Sequence, residues 1–167
     1  MNTEQLRKRI RCLLLFFITA LVFSGLTAFP LVWEIKLLYQ FIGPNTAIGE
    51  WWPSLSSWIA QVHQGLLEAD SKYPFLLYGT DWLAYAHLVI AIAFWGPLRD
   101  PVRNIWVVEF GMIACILIIP VVVIFGPLRG IPLFWQILDC SFGLFGILPL
   151  WLVRRDILRL MKVELSR

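Results

Sequence analysis

Charge is scarce in this chain. Asp, Glu, Lys and Arg make up 15% of its 167 residues, against 59% hydrophobic residues and a mean hydropathy of +0.76. So little charge cannot cover a water-facing surface, and a soluble globular fold is excluded. Cysteine is rarer still: Cys12, Cys115 and Cys140 lie far apart. No disulfide framework is expected from them, and they read as free thiols acting as small apolar side chains. Histidine is limited to His63 and His87, with no Cys/His cluster beside them, so no metal centre is expected. A phosphate-cradling glycine loop is lacking, as is a complete set of nucleophile, base and orienting group. Catalysis is therefore not the leading expectation.

What the sequence does contain is apolar length. Four stretches, at about 12–33, 77–97, 104–126 and 132–153, are each long enough to cross a bilayer, where a span takes roughly 20 residues. The expected fold is an all-α membrane protein, a single transmembrane domain over 1–167 built as a four-helix up-down-up-down bundle. The basic residues Arg7, Lys8, Arg9 and Arg11 before the first stretch also fit the start of a signal peptide. Its apolar run outlasts a typical signal core, and Leu26 is a poor residue three places before a cleavage, so it is expected to be retained as a span.

Lys and Arg bias sets the expected orientation. The N-terminal tail, Arg99 and Arg103 in the second turn, and Arg154, Arg155, Arg159, Lys162 and Arg167 after the last span fall on one side. Both termini are therefore expected in the cytoplasm of a multi-pass protein of the bacterial inner, or cell, membrane. This bias also accounts for the net charge of +3, and no nucleic-acid partner is expected.

The phrase Gly-Pro-Leu-Arg occurs at 96–99 and again at 126–129. Each copy reads as a helix stop followed by a start, with Pro101 or Pro132 in the next first turn and Asp100 as the cap of the third span. Similar turn chemistry explains the pair better than a duplication. The long outer loop, 34–76, is a candidate for function by its length. Within it Leu55, Ile59, Val62 and Leu66 recur at helical spacing, which predicts an amphipathic helix over Ser54 to Ala69. Nine Trp residues gather near the two predicted boundaries and form an aromatic belt.

Ionisable residues inside spans are the best pointers to function, because a charge at bilayer depth is costly. His87 and Asp139 fall at similar depth, with Thr27 of span one and Gln136 of span four nearby in level. Small residues accompany them, as in the rows Ala20–Ser24–Thr27–Glu34, Thr80–Ala84–His87–Ala91 and Gln136–Asp139–Gly143–Gly146, which marks helix-packing faces. The leading expectation is a non-enzymatic ligand-binding or accessory module. Thr27, His87, Gln136 and Asp139 would line a polar pocket in the outer half of the bundle, within the lipid bilayer and with a homo-oligomer or larger membrane protein as partner. One alternative is a dimeric proton- or cation-coupled transporter using Glu109 and Asp139. Another is a redox protein holding haem b between His63 and His87. Glu109 otherwise reads as a salt-bridge residue reached by Arg99 or Arg103.

Overall fold

The computed structural model describes residues 2–165. Among these the chain is helical, without strands, and four helical stretches are long and apolar enough to cross a membrane. They are α1 (Thr3–Ala28), the stretch Pro74–Arg99, α7 (Ile105–Leu128) and α8 (Leu133–Leu165). Between the first two lie α2 (Leu31–Ile42), α3 (Ala47–Trp51) and α4 (Pro53–Lys72). The second stretch consists of a 3₁₀ turn, then α5 (Tyr78–Ala93) and α6 (Trp95–Arg99). Large apolar side chains such as Phe16, Phe23, Ile92, Ile116, Val123, Phe142 and Phe145 are left uncovered by the chain itself. Water cannot accommodate so many of them, and lipid can.

The chain divides into two compact units, Met1–Leu21 with Ile90–Arg167, and Val22–Val89. The core of the first comes from three helices and the α6 region: Ile10, Leu14 and Phe17 of α1, Phe94 at the start of α6, Val107 and Val108 of α7, and Leu150, Val153, Ile157 and Leu160 of α8. On α1 and α8 these recur every three or four residues, which puts each set on one helical face. Phe17 and Phe94 pack ring to ring with centroids 4.7 Å apart.

Helices α7 and α8 run antiparallel. Gly111 is beside Leu150, Cys115 is beside Gly143 and Gly126 is beside Gln136. A Cβ at Gly143 would lie 2.5 Å from the carbonyl oxygen of Cys115, so this crossing requires glycine. The turn joining the two helices is a Schellman closure. Ile131 N–H donates to Gly126 O at 2.9 Å and Gly130 N–H to Pro127 O at 3.1 Å, with Gly130 at φ +68°. Gly130, rather than Gly126, is thus the residue that ends α7.

In the Val22–Val89 unit, α2 packs on α4, and Tyr39 stacks on His63 with ring centroids 4.3 Å apart and planes 10° from parallel. Ile35, Ser56 and Ile59 are buried there. The Thr46 hydroxyl caps α3 by accepting from Gly49 N–H at 3.0 Å.

Helix ends differ from the hydropathy reading in three places. The first span stops at Ala28, because Pro30 cannot continue a helix and also disfavours helical geometry in the residue before it. Glu34 therefore belongs to α2, off the row of Ala20, Ser24 and Thr27. Helix α7 starts at Ile105, after a turn over 101–104. There the Asp100 carboxylate accepts from Arg103 N–H at 3.1 Å, so it caps the turn rather than the helix. Helix α8 continues to Leu165, well past the loss of hydropathy at 153, because the apolar spacing persists.

Candidate functional site

Of the four residues expected to line a polar pocket, Thr27 and His87 belong to the Val22–Val89 unit, and Gln136 and Asp139 to the other. Thr27 turns its hydroxyl back to its own helix, donating to Ser24 O at 3.1 Å. His87 sits where α5 meets α1: its Cβ and the Ala84 carbonyl lie against Gly25. Its Nδ1 is 2.8 Å from Leu83 O. The carbonyl can only accept, so Nδ1 donates to it and Nε2 is the ring nitrogen left over for another contact.

Gln136 is engaged by the α7–α8 turn. Its amide nitrogen donates to Ile131 O at 2.7 Å while the side chain fills the space over Gly126. Asp139 is different. It lies one turn beyond Gln136 and one turn before Gly143, both of which contact α7, so it shares their row on α8. The part of α7 nearest that row, from Ile116 to Phe125, carries no polar side chain. Among the described residues Asp139 makes no hydrogen bond and no ion pair. A half-buried carboxylate in a helix long and apolar enough to cross a membrane is thereby left without a counter-charge among the described residues.

Glu109 pairs with Arg154 of α8 at 2.8 Å, and not with Arg99 or Arg103. The reason is geometric: Glu109 is on α7, whose neighbour along its length is α8, and Arg154 lies on the facing helix. His63 has one ring face covered by Tyr39. No group of three or more His, Cys, Asp or Glu among the described residues could hold a metal ion.

A charged cluster that the hydropathy reading passed over lies at the α1 start and α8 end. Asp156 is fully buried, and the guanidinium nitrogens of Arg9, Arg155 and Arg159 approach its carboxylate at 3.2, 3.5 and 3.9 Å. Arg7 pairs with Glu164 at 2.6 Å across the same two helices. The signal was in the sequence: Asp156 interrupts the stripe Leu150, Val153, Ile157, Leu160 at a core position, where a carboxylate needs a partner.

Chemically, the Val22–Val89 unit also offers an open cleft of about 370 Å³, lined in part by Trp33, Lys36, Asp70, Leu77, Thr80 and Asp81. Nearby in the chain, partial burial pushes the Glu34 carboxyl up from its ordinary value. Lys72 holds the Glu68 carboxyl below the usual carboxylate range by a hydrogen bond and by its charge.

No family model, curated protein or solved structure matches the chain.

Proposed function

We propose that this chain is a non-enzymatic accessory module of the bacterial inner membrane, a four-span up-down-up-down bundle with both termini cytoplasmic and α4 as an amphipathic outer cap. In this reading Asp139 is the binding residue, and it accepts a cationic group from a ligand or a partner span. The observation that supports it is the absence of any counter-charge to Asp139 among the described residues. A charge at the centre of a span costs roughly 2.5–3.5 kcal/mol on insertion scales, and a partner cation offsets that cost. His87, whose Nε2 is not used by the Leu83 contact, is a second polar contact available within a span.

The test is native mass spectrometry of the mildly solubilised protein, unaltered and as Asp139→Asn, from the same membranes. A bound species present on the unaltered chain and lost from the variant is the expected outcome. Identical spectra for the two would end the proposal.

A haem reading retains one favourable observation, because a Nδ1 hydrogen bond to a backbone carbonyl is how ligating histidines are oriented. An absorption spectrum before and after dithionite decides it, with a shifting Soret band lost in His87→Ala as the positive result. The dimeric transporter reading would require Arg154 to release Glu109 in every cycle.

A further inference from the structure

The turn between α6 and α7 carries two arginines that the ion-pair network does not use. Arg99 closes α6, and Arg103 follows one turn later. Both are exposed, and neither guanidinium makes an ion pair among the described residues. They line an open cleft of about 500 Å³ together with Arg7 and Glu164, at the α1 start and the α8 end. A second cleft of about 520 Å³ shares Arg99, Asp100 and Arg103 and extends to Gly96 and Asn104.

Two carboxylates share this region. Glu164 is paired with Arg7, and one oxygen of Asp100 accepts the Arg103 backbone N–H. The turn itself is held firm by Asn104, whose amide donates to Gly96 O at 3.2 Å and Asp100 O at 2.9 Å. Two guanidinium groups thus line the cleft from a braced turn, and Arg7, Arg99 and Arg103 against Asp100 and Glu164 leave one net positive charge there. Their depth follows from their neighbours. Trp95 and Trp106, each about one helical turn away, are exposed, and tryptophan ends of spans sit at headgroup level.

Guanidinium forks match phosphate oxygens in geometry and charge. We infer that Arg99 and Arg103 bind the phosphate of an anionic phospholipid headgroup in the cleft between the α6–α7 turn and the ends of α1 and α8. This site is independent of Asp139.

The test uses the full chain in nanodiscs of phosphatidylcholine mixed with phosphatidylglycerol, with retained lipid read by native mass spectrometry. The expected result is preferential retention of phosphatidylglycerol, falling roughly fivefold for each arginine removed in Arg99→Gln and Arg103→Gln. The lysine pair, Arg99→Lys with Arg103→Lys, keeps the charge but loses the fork and should retain only part of the preference, more than the glutamine pair, and Arg129→Gln should keep all of it. Unchanged retention in the double glutamine variant, or an equal loss in Arg129→Gln, overturns the proposal. Salt provides an arm that needs no variant: the preference should weaken as ionic strength rises, and a salt-independent preference counts against it. Added glycerol phosphate or inorganic phosphate is expected to compete poorly. Full displacement of the lipid by either would assign the cleft to a soluble phosphate and overturn the lipid assignment.

Discussion

Asp156 is fully buried, whereas the arginines around it reach the surface, with side chains 36% (Arg9), 33% (Arg155) and 55% (Arg159) exposed. Three cations around one carboxylate make the carboxylate the member that cannot be spared. Asp156→Asn keeps the shape and removes the charge, leaving three guanidinium groups to repel one another. It should lower stability by on the order of 2 kcal/mol, less than for a fully enclosed pair because the arginines can turn to water. Arg9→Gln should cost about half as much, since Arg155 and Arg159 stay with the carboxylate. Thermal unfolding in detergent checks both, and equal midpoints for Asp156→Asn and the unaltered protein would remove Asp156 from the stability argument. A residue-scale pH effect belongs to Glu68. Its folded pKa is depressed by Lys72, so its contribution is present above the ordinary carboxylate range and is lost as pH falls through the depressed value. Both side chains are exposed, so the visible consequence is the titration itself. Lys72→Met should move the Glu68 carboxyl resonance midpoint upward in an NMR titration, and an unmoved midpoint would mean that the pair does not form in solution.

At the scale of helices, the α7–α8 crossing depends on glycine. Gly143→Ala would put a methyl against the Cys115 carbonyl oxygen, a backbone atom that cannot swing aside. The two helices would have to separate, at about 1–3 kcal/mol. The lesion should show as a lowered unfolding midpoint, with Gly65→Ala, which meets nothing within 4 Å, as the matched control. The four apolar stretches were legible because lipid demands long uninterrupted hydrophobicity, and that is a local property of sequence. Helix ends were less so. Hydropathy averages smoothly across Pro30, although that one residue stops α1, and it falls at Arg154 although the core spacing runs on through Leu160. With 33 residues at 1.5 Å each, α8 is about 50 Å long, beyond a hydrocarbon core of roughly 30 Å. Its charged final turns therefore have to lie outside. At the site, His87 and Asp139 stood out as ionisable residues within spans. The partner of Glu109 did not, because pairing across α7 and α8 depends on a register that sequence spacing alone does not set.

For the molecule as a whole, the proposed threading makes a directional prediction. With single cysteines introduced into a variant lacking the native thiols, a membrane-impermeant maleimide applied to inside-out vesicles should label Lys162→Cys and Lys8→Cys. Applied from the opposite side it should label Ser57→Cys. Labelling of positions 8 and 162 from opposite sides would disprove an even number of crossings. The first compact unit also joins residues that are remote along the chain, Met1–Leu21 with Ile90–Arg167. At a synthesis rate of about 5–20 residues per second, Ile10, Leu14 and Phe17 emerge on the order of ten seconds before Leu150, Val153, Ile157 and Leu160, the α8 residues of their shared core. Phe94, Val107 and Val108 arrive in between, but until α8 follows the α1 face is incompletely covered and must be sheltered by lipid or by the insertion machinery. The α8 residues complete packing that begins on α1.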